Sequence, residues 1–388
     1  MISINFRTII VHTCLFLAFF LPIYSWSQYI LVLLPVILYV FVSDKKLNIG
    51  WNYIVVLCLC FSVLFNSYWL SPIYYKSFLK TVNLCILFAL FPFYKYKDIS
   101  IRPWFVVLMM CIVLYTQLVW LFGIKPMMSF FDMIYPQTIT YGQSGVGFSF
   151  NLGGRYGGIF HNPNDCARNI IILCAIYLVL NKLNSSKRLD IFVLLIMSLS
   201  VFLTGSRTGI IMLMATIVIY ILNMENVNRQ KKLIVLSFVI FLLILVSVFI
   251  IGENNRIKNT VFNPGKSDRF RFFIELIEKV LTHPIKSLFG YFYMERVVLW
   301  KKGLTGGFDA DLTNLIYAYG FSTIISYFFF IYSLYKKTGR RFFYCIPPHF
   351  ILFSTGLLTS FYSAIMILML YSILYLESVN ENEDRDKY

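Results

Sequence analysis

Residues 233–251 read Leu-Ile-Val-Leu-Ser-Phe-Val-Ile-Phe-Leu-Leu-Ile-Leu-Val-Ser-Val-Phe-Ile-Ile, directly after Lys231 and Lys232 and directly before Gly252 and Glu253. Such a run approaches the roughly 20 residues that carry a helix across a bilayer. Lipid offers unpaired backbone groups no partner, so only helices and closed barrels cross it, and the 27 Tyr and 39 Phe show no alternation of a barrel kind. The rest of the chain has the same character: 388 residues, 59% hydrophobic and 13% charged, with a mean hydropathy of +0.73. Soluble domains carry about a quarter charged residues. A water-exposed surface cannot be built from this composition, and the chain reads as an all-α polytopic integral membrane protein, one membrane domain over 1–388.

Apolar runs bounded by charges or turn residues give about twelve transmembrane helices, near 8–23, 28–43, 51–67, 77–94, 104–123, 165–181, 189–204, 207–223, 232–252, 311–335, 342–358 and 360–376. The first run has only Arg7 before it and no small-residue cleavage site after it, so it reads as a retained span. In a soluble protein the formal net charge of +16 would raise the question of nucleic acid. Here the basic residues cluster in short connections: Lys45 and Lys46; Lys95, Lys97 and Arg102; Lys182, Lys187 and Arg188; Arg229, Lys231 and Lys232; and Lys336, Lys337, Arg340 and Arg341. They fall on every second connection, which makes that side cytoplasmic, places both termini there, and leaves membrane lipid rather than nucleic acid as the partner. Seven of the eight cysteines lie in apolar runs, Cys166 starts one, and no disulfide framework or CxxC metal pair is visible.

The opposite side has short turns and two long loops, 124–164 and 252–310, and loops of that length are usually functional or disordered. The first is rich in Gly and aromatics, which suits a packed loop near the membrane. The second holds an amphipathic stretch near 268–281, with Phe270, Phe273, Ile274, Ile277 and Leu281 on one side, that suits the membrane surface.

Three motifs stand out on that side. Gly153-Gly154-Arg155-Tyr156-Gly157-Gly158 leads through Ile159, Phe160, His161, Asn162, Pro163 and Asn164 straight into a span. The glycines let the backbone turn tightly and approach a ligand, and the arginine fork matches phosphate oxygens. The same residues read equally well as an ordinary loop before a helix, with Asn164 as N-cap and Asp165 on the first turn. The second motif, Leu203-Thr204-Gly205-Ser206-Arg207-Thr208-Gly209, is a charged turn between apolar runs. Its arginine either snorkels to headgroups or serves a site. The third comprises Asp268-Arg269-Phe270-Arg271, His283-Pro284, Gly290, Asp309-Ala310-Asp311 and then Gly320 inside the next span. Carboxylates beside cations suit a base and a phosphate clamp, while each carboxylate alone suits a helix cap.

The order and placement of these motifs resemble the O-antigen polymerase and ligase superfamily. The resemblance covers most of the chain as architecture, but its specific motifs lie only within 153–168, 203–210 and 268–320. It implies a glycosyltransferase using undecaprenyl-diphosphate-linked oligosaccharide at the periplasmic face of the bacterial inner membrane. No acidic cluster with metal-ligand spacing appears in the sequence, so arginines are expected to meet the diphosphate, with no metal and no cofactor. It also implies a chain-length regulator and other polysaccharide-assembly proteins as partners. The ligase branch has a histidine about eleven residues before the glycine of the span that follows the loop; Asp309 holds that place here, which favours the polymerase branch. On this resemblance Arg155, Arg207 and either Asp309 or Asp311 are the catalytic residues, while Gly154, Gly158, Asn162, Asn164, Ser206, Arg269, Arg271 and His283 bind substrate. The alternatives are an O-antigen ligase transferring glycan to lipid A core and a lipid-linked oligosaccharide flippase.

Overall fold

The structure, a computed structural model, describes residues 50–66, 72–91, 101–134, 156–160, 163–181, 187–223, 277–291, 311–350 and 361–385, with single positions between 9 and 20, between 228 and 241, and at 274. Among the described residues the regular structure is helical throughout, with no strand. The helices are α1 (Trp51–Leu64), α2 (Pro72–Ala89), α3 (Pro103–Phe122), α4 (Lys125–Ile134), α5 (Pro163–Leu180), α6 (Lys187–Thr204), α7 (Arg207–Asn223) and α8 (Pro284–Phe289). After these come α9 (Asp311–Thr338), a 3-10 turn (Gly339–Cys345), α10 (Ile346–His349) and α11 (Phe361–Arg385). Among the described residues three segments are long and apolar enough to cross a membrane: Pro103–Phe122, Pro163–Leu180 and Asn314–His349. The protein is an all-helical membrane protein.

Helices α1, α2, α3, α5, α6, α7, α9 and α11 fall on stretches that read as spans, with most ends displaced by a few residues; α11 runs nine residues past its expected end at 376, to Arg385. The stretches 8–23, 28–43 and 232–252 lie wholly or largely outside the described residues, and so do the chain ends and most of both long loops. Three departures stand out, the last two with a clear physical cause. The loop 124–164 begins with a helix of its own, α4. The run 342–358 starts as a 3-10 turn and a short α10, because Pro347 and Pro348 have no N–H to return to the preceding turn. Helix α9 is interrupted at Gly320 (φ 74°, ψ 179°), a conformation that disfavours any side chain.

Helix ends follow local chemistry. Proline opens α3 after Arg102, in the one position where its missing N–H costs nothing. Gly123 closes α3 in the left-handed region, with its N–H donating to Trp120 O and that of Ile124 to Val119 O, the two bonds of a Schellman cap.

Cross-helix contacts fix directions. Trp51 stacks on Phe329, Cys58 meets Ser326, and Ser62 Oγ donates to Ala318 O at 3.0 Å, so α1 runs antiparallel to α9. Thr81 meets Tyr319 and Phe88 meets Tyr327, so α2 runs parallel to α9. Tyr327 and Phe330 contact Tyr371 while Lys337 lies over Tyr375, so α11 does as well. Ser363 reaches Asn169 near the start of α5, and Gln117 near the end of α3 reaches both Cys166 and Ser200. Consequently one end of the bundle collects the end of α1, the end of α3, residues 156–169, the α6–α7 turn, residues 283–291 and the start of α9.

Helix α5 is the centre of the core, buried from Cys166 through Val179 and packed by α3, α6, α7 and α11. Lipid tails are as apolar as leucine, so such a core is held by close packing and interhelical hydrogen bonds. A Cβ on Gly209 would stand 2.7 Å from Ala167 Cβ, so this pair of small residues sets how near α7 comes to α5.

Candidate functional site at one end of the bundle

The Gly-rich motif enters the described residues at Tyr156. Its N–H donates to Leu203 O at 2.9 Å and its carbonyl accepts from Gln117 Nε2 at 2.9 Å, which joins the loop to α6 and α3. Gln117 also donates to Ser200 O at 3.0 Å and accepts from Ser200 Oγ at 2.5 Å, so one amide ties three segments together. Gly158 lies in the left-handed region (φ 59°), and a Cβ there would come within 2.4 Å of Thr116 Oγ1. This glycine is required for packing on α3.

Pro163 is already the first residue of α5, so Asn164 sits in the first turn rather than at the N-cap. The reason is that proline is pre-organised for that first position. Asp165, one residue on, pairs with Arg168 Nη1 at 3.1 Å across one turn, and Arg168 is only 1% exposed. Arg168 Nε also donates to Asn169 Oδ1 at 3.4 Å, and Ser363 Oγ donates to the same oxygen at 3.4 Å. Nothing in the sequence singles out Arg168, because it sits where a polar loop gives way to a span. Its depth becomes visible only when α7 and α11 close over it.

The second motif is a helix–turn–helix joint. Gly205 (φ 57°) ends α6, and buried Ser206 caps α7 by accepting from the Gly209 N–H at 3.0 Å. Arg207 is the first residue of α7. Ser206, assigned to substrate binding on the resemblance, thus spends its hydroxyl on the helix N-terminus.

The third motif is represented by residues 277–291 and the start of α9. His283 precedes Pro284 at the start of α8 and is exposed. Gly290 (φ 68°) and Gly320 lie backbone against backbone: a Cβ on Gly290 would be 2.5 Å from Ala318 O, and one on Gly320 would be 2.3 Å from Leu288 O. Tyr291 N–H donates to Tyr317 O at 2.7 Å, while Ser322 Oγ donates to Leu288 O at 2.5 Å. The break in α9 therefore exchanges intrahelical bonds for bonds to this segment. Asp311 opens α9.

Gly154, Arg155, Asn162, Arg269, Arg271 and Asp309 lie outside the described residues. Among the described residues no group of His, Cys, Asp and Glu is arranged to hold a metal ion. No protein-family model and no curated protein matches the chain.

Proposed function

We propose that this protein is a polymerase-type membrane glycosyltransferase that joins undecaprenyl-diphosphate-linked oligosaccharide units into an O-antigen-type polysaccharide at the periplasmic face of the bacterial inner membrane. The observation that carries the reading is the gathering of residues 156–160, the Ser206 turn, residues 283–291 and the start of α9 at one end of the bundle. These belong to the three motifs whose order resembles the polymerase and ligase superfamily. In this reading twelve spans place both termini and the basic connections in the cytoplasm, and a chain-length regulator is a partner.

The reaction forms a bond from an acceptor sugar oxygen to the anomeric carbon of the donor chain and breaks the bond from that carbon to the diphosphate. Direct displacement inverts the anomeric centre. The acceptor proton passes to a carboxylate, Asp309 or Asp311. The leaving diphosphate gathers negative charge, for which fixed cations are the economical partner, and Arg155, Arg207, Arg269 and Arg271 fill that role.

Reconstitution with a synthetic undecaprenyl-diphosphate repeat unit and no added metal is expected to yield oligomers. Arg155→Ala, Arg207→Ala and Asp309→Asn are expected to insert normally and to abolish long polymer; normal chain length in all three would refute the assignment. Lysine in place of either arginine restores little, because a point charge lacks the bidentate fork. Deleting a polymerase leaves lipid A core carrying one repeat unit, whereas deleting a ligase leaves bare core.

A lipid-linked oligosaccharide flippase is the second reading, favoured by the break in α9 at Gly320, since transporters build their sites from interrupted spans. It predicts movement of the lipid-linked unit across vesicles without oligomers.

A further inference from the structure

The end of the bundle that holds the motifs carries a second set of cations that none of the motifs includes. Lys279 and Lys286 approach the same ring: their ammonium nitrogens lie 5.3 and 5.4 Å from the centre of Tyr291. Tyr291 stacks on buried Tyr317 with centroids 4.9 Å apart and planes 16° from parallel. Lys279 Nζ lies 5.6 Å from the Tyr317 ring and donates to its hydroxyl at 3.2 Å. Lys286 Nζ donates to Asn66 Oδ1 at 2.5 Å, and Asn66 Nδ2 in turn donates to Gly290 O at 3.3 Å.

Both ammonium groups thus share one aromatic ring. A tyrosine face returns far less to a cation than a carboxylate partner does. Among the described residues no carboxylate pairs with Lys286, and its partners are a ring and a neutral amide. Burial accordingly pushes the Lys286 ammonium below the ordinary lysine range. The ring they share is fixed in place, since Tyr291 is bonded to the α9 backbone at Tyr317 and Gly290 is wedged against Ala318. Two ammonium groups anchored at one ring by Tyr317 Oη and Asn66 Oδ1, with no carboxylate on Lys286 among the described residues, complement an oxyanion with several acceptor oxygens.

We propose that Lys279 and Lys286, against the Tyr291–Tyr317 stack, form a binding site for a phosphate-class oxyanion. The group comes either from the diphosphate of a lipid-linked substrate, which rests on the function proposed above, or from a phospholipid headgroup of the bilayer.

The test is lysine protection on the full chain. The protein in maltoside micelles is acylated with an amine-reactive reagent, and each site is read by mass spectrometry. Inorganic pyrophosphate is then added, and in a second arm the micelle is replaced by a phosphatidylglycerol nanodisc. Lys336 and Lys337 are internal controls, since each stands alone over one tyrosine at the opposite end. Protection of Lys279 and Lys286 by pyrophosphate, about tenfold at ten times its dissociation constant, supports the site with a diphosphate as its source. Protection in the nanodisc alone supports it with a headgroup as its source. Acylation in both arms as fast as at Lys336 and Lys337 overturns it. Lys279→Gln/Lys286→Gln is expected to lose pyrophosphate binding by calorimetry, and Lys286→Arg to keep it. Because protection reads binding and not turnover, protected lysines in a chain that makes no oligomers leave the site standing and remove the glycosyltransferase reading. Oligomers made by a chain with unprotected lysines do the reverse.

Discussion

A carboxylate stands at each end of α5, Asp165 in its own first turn and Asp190 reaching in from α6, and they are satisfied in opposite ways. At the motif end Asp165 pairs with Arg168, a full positive charge closed inside the bundle. At the other end Asp190 accepts from Tyr177 Oη at 2.9 Å and Tyr220 Oη at 3.1 Å, and from Asn181 Nδ2, all neutral donors. The motif end is thus organised around a cation that needs its partner, and the far end around an anion that shares its charge among donors. A buried ion pair is weak evidence for stability but strongly penalises loss of one member. A carboxylate surrounded by hydroxyls tolerates neutralisation much better.

The largest expected effect breaks the first side of this comparison. Asp165→Asn takes from buried Arg168 the carboxylate it pairs with and is expected to cost about 3 kcal/mol, the low end for such pairs because Asp165 is itself 33% exposed, read as a lower melting temperature in detergent. The double variant Asp165→Asn/Arg168→Met should recover most of that loss. A melting temperature unchanged in the single variant would remove the contrast altogether. Next comes Gly320→Ala, expected to cost about 2 kcal/mol for a positive-φ residue, with the added clash on Leu288. Combining it with Gly290→Ala should cost less than the sum, because both break one contact.

Asp190→Asn sharpens the other side, with an expected loss of about 1.5 kcal/mol. It should remain clearly milder than Asp165→Asn in the same melting assay. The smallest effect is at the α7 cap: Ser206→Ala costs about 1 kcal/mol, and Ser206→Asp should restore it. Ser206→Asp retaining polymer formation would place Ser206 with the scaffold rather than with the substrate.

Helix positions were legible from sequence because apolar runs bounded by charge leave few alternatives in lipid; α3, α6 and α7 end within a residue or two of where the pattern stops. Single polar residues inside such runs were not. Asn66, Gln117 and Arg168 look like interruptions at span borders, and their role depends on which helix lies opposite. Gly320 carried a motif signal but no sign that α9 breaks there, since an isolated glycine is equally at home in a continuous helix. Lys279 and Lys286 are seven residues apart on either side of His283-Pro284, a spacing that means nothing until Tyr291 is folded back within reach of both. Of the residues assigned on the resemblance, Gly158, Asn164, Ser206 and His283 have described surroundings, while Arg155, Arg269 and Asp309 rest on the motifs alone.

Gln117 has a consequence for how the protein is made. It lies in α3, which leaves the ribosome before any of the groups that satisfy its amide: Tyr156, Cys166 and Ser200 all come later in the chain. An amide stranded in hydrocarbon costs several kcal/mol. Helix α3 therefore has reason to linger beside the insertion machinery until α5 and α6 have been synthesised, and to enter the bilayer together with them as one assembled unit.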